Sequence, residues 1–155
     1  LARIRKAETK PLALVNSNIL VYAMLKDYPD KARHEKCLSL LEKGLKGELS
    51  CILAVNPIIV VEVFTVLRKM LSCSEAQSRI SSLLDSRRIG YLSVTREACQ
   101  TAVQWAKQAN IPVNDALIAA SMTDNAQLIY TADEKHFRKL EEYNVTIINP
   151  TVSIC

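Results

Sequence analysis

Histidine, glycine and aromatic residues are scarce in this chain, and each shortage excludes something. Three glycines and five prolines among 155 residues leave little room for long flexible linkers, so one domain is expected rather than two. Aromatic residues make up 5%, too few for extensive stacking on nucleic-acid bases. No apolar run approaches the roughly 20 residues that a membrane-crossing helix requires. The opening Leu1-Ala2-Arg3-Ile4-Arg5-Lys6 has no apolar core behind it, which is not the expected form of a secretory signal. The five cysteines (Cys37, Cys51, Cys73, Cys99 and Cys155) are odd in number and widely spaced. They form no CxxC pair, and the two histidines, His34 and His136, suggest no ligand pair by spacing. Reduced thiols in a cytoplasmic protein are the expectation.

What is present is an ordinary globular balance: 49% hydrophobic residues, 23% charged and a net charge of +4. The excess is local. Arg3, Arg5, Lys6 and Lys10 against Glu8 put +3 of it into residues 1–11, a basic arm ahead of a domain over 12–155. Such an arm suits a polyanion, or is simply solvated.

Along the chain, short apolar runs alternate with helical patterns. Leu12-Ala13-Leu14-Val15 reads as a strand ending at Asn16-Ser17-Asn18, with a helix over Ile19–Leu25 behind it. Pro29-Asp30 opens a helix over Lys31–Leu45, punctuated by Gly44 and Gly47. Leu49–Val55 is a second strand, and Asn56-Pro57 caps a helix over Ile58–Leu71. Ser74 and Gln77 form a capping-box pattern for a helix to about Arg87. Tyr91–Val94 is a third strand, and Thr95 caps the next helix. Pro112 and Asn114 announce an apolar helix through Asp115-Ala116-Leu117-Ile118-Ala119-Ala120. A strand at Gln127–Tyr130 then runs into Thr131-Ala132-Asp133, and a short helix leads to a last strand, Val145–Ile148. This alternation predicts an α/β domain with a mainly parallel sheet and helices on both faces.

In open parallel sheets, ligands bind beyond the carboxyl ends of the strands. Asn16 and Asp133 follow strands there, Asp115 opens the helix before the fourth strand, and Glu62 lies one turn into an apolar helix. One such acid is an ordinary cap. Glu62, Asp115 and Asp133 on one rim repel one another and call for a counter-charge, which for oxygen ligands is Mg2+ or Mn2+.

Val15-Asn16-Ser17-Asn18-Ile19-Leu20, Glu62, Asp115-Ala116-Leu117-Ile118-Ala119-Ala120 and Thr131-Ala132-Asp133, in this order, closely resemble a PIN domain. The resemblance runs from about Leu12 to Pro150. It implies a three-layer α/β/α sandwich with a five-stranded sheet in the order 3-2-1-4-5 and a metal-dependent endoribonuclease. It further implies the toxin of a toxin–antitoxin pair, often a homodimer. Residues matching Glu62, Asp115 and Asp133 would hold the metal, with Thr131 orienting the site and Asn18 supporting the loop after the first strand. An antitoxin would lay an apolar helix in a groove near the first helices. The family carries Asp where this chain has Asn16, so the carboxylate charge is formally −3 rather than −4. Weaker metal binding and slower hydrolysis follow. Lys135, Arg138 and Lys139 are candidates for holding the RNA backbone, and His136, where relatives often have another acid, is expected to pack. The alternatives are a non-catalytic RNA- or protein-binding module of the same fold, and a phosphoacceptor receiver. The receiver ranks last because no acid ends the Tyr91–Val94 run.

Overall fold

A five-stranded sheet lies at the centre of the chain in a computed structural model. The structure describes residues 10–122 and 128–152. Most of the basic arm, with Arg3, Arg5 and Lys6, therefore lies outside the described residues, as do Gln127 and Cys155. The strands are β1 (Leu12–Val15), β2 (Ile52–Val55), β3 (Gly90–Tyr91), β4 (Leu128–Tyr130) and β5 (Thr146–Ile148). Every pairing is parallel, and the order is β3-β2-β1-β4-β5, as the PIN resemblance implied. β1 is central and reads Leu-Ala-Leu-Val without a polar residue, as a strand covered on both faces must.

Eight residues, Ser17–Met24, form α1 directly after β1, and α2 (Lys31–Lys46) follows. Between β2 and β3 come α3 (Pro57–Met70) and α4 (Cys73–Asp85). Between β3 and β4 come α5 (Arg96–Ala109) and α6 (Val113–Ala120), and α7 (Glu134–Phe137) with a 3-10 turn over Arg138–Tyr143 precedes β5. Strand order reverses between β1 and β4. Right-handed crossovers then send the helices before and after the reversal to opposite faces of the sheet. Accordingly α1 packs on α2 and α3, α3 on α4, and α5 on α6. Leu14, Leu53 and Ile129 of the sheet and Ile59, Leu67 and Ile118 of the helices are fully buried between them.

The side-chain caps explain why these boundaries were mostly legible. Asp30 accepts the Arg33 amide, Thr95 accepts the Ala98 amide, and Asn56 accepts the Ile59 amide. Asn56 is fully buried, and its amide also donates to Ser121 Oγ at 2.7 Å, which donates to the Ile118 carbonyl. That chain of bonds fastens the start of α3 to the end of α6. Gly47 closes α2 at φ 73°, in the left-handed region that favours glycine.

Several boundaries differ from expectation. Ser72, not Ser74, caps α4 by accepting the Glu75 amide. Ser72-x-x-Glu75 puts a carboxylate in the first turn, where the helix dipole favours it, and Gln77 offers no charge. Asn114 does not cap α6, because Val113 is already helical and the Pro112 carbonyl takes the Ala116 amide. This shift leaves Asp115 in the first turn, with its backbone amide among the free ones. β3 has two residues rather than four, and after the Leu92 amide bonds to the Val55 carbonyl the chain leaves the sheet edge. β2 begins at Ile52 rather than Leu49. The Leu49 carbonyl, with that of Gly47, is instead taken by Lys10 Nζ.

A constellation of acids at the sheet edge

The first strand ends by handing its last bonds to a polar residue. The Asn16 amide still bonds the Tyr130 carbonyl, extending the ladder one residue beyond β1, while its side chain caps α1 through a 2.8 Å bond from the Ser17 amide. Asn16 is nearly fully buried, and its Nδ2 donates to Thr131 Oγ1 at 3.0 Å. Both side-chain heteroatoms of Asn16 are thus engaged by the protein. Thr131, buried beyond the end of β4, also accepts the Asp133 amide at 3.0 Å. The Ala132 amide donates to Asn18 Oδ1 at 3.3 Å, so Asn18 braces the loop after β4. Asn16, Asn18 and Thr131 together fix the turn that presents Asp133.

Asp133 caps α7, accepting the His136 amide, and the one-turn return of the helix brings the imidazole over the carboxylate. His136 Nδ1 lies 3.1 Å from Asp133 Oδ2 and 3.2 Å from Asp115 Oδ2. Among the described residues, Asp115, Asp133 and His136 form a group whose ligand atoms all lie within 4.8 Å of one another. His136 therefore joins the acids instead of packing away from them. The Asp133-x-x-His136 spacing was the available signal, since a cap and the third residue after it share a face. Its meeting with Asp115 depends on the first turn of α6 reaching α7, which no local pattern reveals.

Glu62 stands outside that tight group, though its charge reaches Asp115. It is only half-buried, and Ser17 Oγ donates to its Oε2 at 2.7 Å. The carboxylate is thus satisfied by a hydroxyl from the first residue of α1. Ser17 escaped the sequence reading because 45 residues separate it from Glu62.

Electrostatics mark Asp115 as the strained member. Burial, then the charges of Asp133 and Glu62, push its carboxyl from 3.8 up to about 6, while His136 pulls it back. The donor set suits a divalent cation. His136 Nδ1 stands at hydrogen-bond distance from both carboxylates, and a divalent cation taking the place of the ring proton would find the same nitrogen and two oxygens within 4.8 Å of one another. Two carboxylates and an imidazole also suit the common first-row ions.

The expected RNA-contacting cations divide. Lys135 and Lys139 are exposed. Arg138 is committed elsewhere: its guanidinium pairs with Glu134 and Glu141 at 2.6 Å each and reaches the Ile147 carbonyl. Lys10 lies just before the amino end of β1, the sheet edge opposite the acids.

The PIN domain profile matches residues 13–143. No curated protein matches the chain. Among solved structures, VapBC2 from Rickettsia felis, bound to a DNA fragment from their promoter, superposes with a TM-score of 0.65 at 21% identity, covering 89% of this chain and 98% of that one. A toxin–antitoxin complex from Klebsiella pneumoniae gives 0.62 at 16% identity, over 89% and 97%. VapC20 from Mycobacterium tuberculosis, described as a Sarcin-Ricin loop cleaving toxin, gives 0.66 at 17%, over 81% and 93%. These likenesses concern the fold, and the profile match over 13–143 carries the assignment: the chain belongs to the PIN domain family.

Proposed function

We propose that this protein is a divalent-metal-dependent endoribonuclease, the toxin half of a toxin–antitoxin pair, with an activity lowered by Asn16. The observation that carries the proposal is the meeting of Asp115, Asp133 and His136 within 4.8 Å at the carboxyl edge of a parallel sheet. Asp115, Asp133 and Glu62 would hold one or two Mg2+ or Mn2+ ions. A bound ion supplies charge neutralisation at a phosphate and lowers the pKa of water. The chain's own residues set the stage. Thr131, held by Asn16, fixes the Asp133 backbone, and Ser17 orients the Glu62 carboxylate. Lys135 and Lys139, exposed on the segment after Asp133, are available to an RNA backbone, whereas Arg138 would first have to leave its two glutamates.

A partner protein is supported by an apolar groove of about 240 Å3 between α1, α2 and α4, lined by Met24, Leu41, Leu45 and Leu83 with Arg79 beside them. Homodimerisation is proposed with the family, and Val61 and Met70, largely exposed apolar side chains on α3, are open to such a contact. No described helix is long and apolar enough to cross a membrane, and we place the protein in the cytoplasm on the strength of its family.

Asn16 favours one competing reading, a PIN-like module that binds RNA or protein without cutting it. The two separate in a cleavage assay on single-stranded RNA with the metal-stripped full chain. The nuclease reading expects slow hydrolysis that appears with Mn2+, vanishes with EDTA and falls at least about tenfold in Asp133→Asn. Cleavage that persists in EDTA or in Asp133→Asn would mark a contaminating nuclease. RNA binding without metal-dependent cleavage would favour the module.

A further inference from the structure

The donor set differs from an all-oxygen site in two ways that act together. One carboxylate is replaced by Asn16, whose Oδ1 is already taken by the Ser17 amide and whose Nδ2 is taken by Thr131. One nitrogen is added, His136 Nδ1, aimed between Asp115 Oδ2 and Asp133 Oδ2. Mg2+ is a hard ion that relies on carboxylate charge and oxygen donors, and gains little from imidazole. Imidazole suits the borderline first-row ions, whose affinity for mixed nitrogen and oxygen sites rises from Mn2+ through Co2+ to Ni2+, with Zn2+ also strong. Removing an anionic oxygen weakens the first class, and adding a nitrogen strengthens the second.

We propose that His136 is a metal-selecting residue, supplying a nitrogen donor that turns the Asp115–Asp133 site towards borderline transition ions and away from Mg2+. The inference rests on the metal-site reading given above and specifies which class of ion the site takes. His136 is placed for this by two independent elements: Asp133 fixes its backbone at the start of α7, and α6 brings Asp115 to the other side of its ring nitrogen. The second histidine, His34, has its Nδ1 2.7 Å from the Tyr22 carbonyl and is no part of the cluster. The choice of ion would set which ions support turnover, because the same donors would orient any phosphate brought to the site.

The test is calorimetric titration of the metal-stripped full chain with Mg2+ and with Co2+, alongside proton NMR of the Co2+ form. Wild type is expected to bind Co2+ at least about a hundredfold more tightly than Mg2+. His136→Gln is expected to lose about tenfold in Co2+ affinity while its Mg2+ affinity stays within about threefold. The Co2+ form of wild type should show a strongly shifted, exchangeable imidazole N–H resonance that His136→Gln lacks. Its absence from the Co2+ form of wild type would decide against the proposal whether or not the variant folds. Co2+ binding that Asp115→Asn abolishes, but without the shifted imidazole resonance and with a selectivity ratio unchanged in His136→Gln, would overturn the proposal and leave the metal site standing. Failure of wild type to bind either ion would overturn both.

Discussion

Asp115→Asn is expected to abolish specific divalent-ion binding, lowering affinity at least about a hundredfold, and to stabilise the metal-free protein at pH 7. Both effects come from one carboxylate. Burial and the neighbouring charges of Asp133 and Glu62 raise the Asp115 carboxyl from 3.8 to about 6. Below pH 3.8 the acid is protonated in the folded and unfolded chains alike, and the contribution of its raised pKa to stability is fully present. Between 3.8 and about 6 the unfolded chain releases the proton first, so that contribution falls, and above about 6 it is gone. The shift corresponds to about 3 kcal/mol at most, and partial solvent access reduces this to about 1–2 kcal/mol. Thermal melts in EDTA should therefore place Asp115→Asn about 4 °C above wild type at pH 7, with the gap closing as pH falls towards 4. With saturating Mn2+ the order should reverse, because only wild type gains from the bound ion. A variant less stable than wild type in EDTA at pH 7 would mean that Asp115 is a structural cap and not a repelled ligand.

Asn16→Asp should have the opposite effect, raising metal affinity and cleavage rate by about tenfold to a hundredfold. The change is close to isosteric, and the surroundings accept it. The Ser17 amide donates to Oδ1 in either case. Thr131 Oγ1 now accepts from Asn16 Nδ2 and from the Asp133 amide. A hydroxyl can donate as well as accept, so with Asp at position 16 it turns its proton to the new carboxylate and keeps the Asp133 bond. The added charge joins a cluster already short of counter-charge, so the metal-free variant should melt below wild type and show a larger upward shift on adding Mn2+. Titration calorimetry and a single-turnover RNA assay measure the two gains. A variant with full loading but no faster cleavage would show that the missing carboxylate is not what limits the chemistry.

Residues whose signals are local were legible in the sequence. The caps at Asp30, Asn56 and Thr95 and the apolar run of β1 each follow from a few adjacent residues, and together they imply the alternation and the parallel sheet. The α/β alternation put Asn16, Glu62, Asp115 and Asp133 at the carboxyl edge, whereas the strand order and the ligand roles came with the family resemblance, since no spacing reports which strands lie side by side. The misread boundaries are those where two local signals compete. Ser72 and Ser74 both precede a polar residue three positions on, and only Ser72 leads to a charged one. Arg138 was legible in hindsight: Glu134 and Glu141 stand four before and three after it, the separations that pair along a helical surface. The contacts of His136 with Asp115 and of Ser17 with Glu62 were not, because Asp115 and Glu62 arrive from other elements. Contacts of that kind depend on the tertiary arrangement of α3, α6 and α7 around the end of β1.

The most direct measurement is a crystal of the wild-type chain soaked in Mn2+, with diffraction collected to locate the anomalous scatterer. A strong peak bounded by Asp115 Oδ2, Asp133 Oδ2 and His136 Nδ1 is the predicted result. Full Mn2+ occupancy at some other position, with His136 still bonded to both carboxylates, would contradict it.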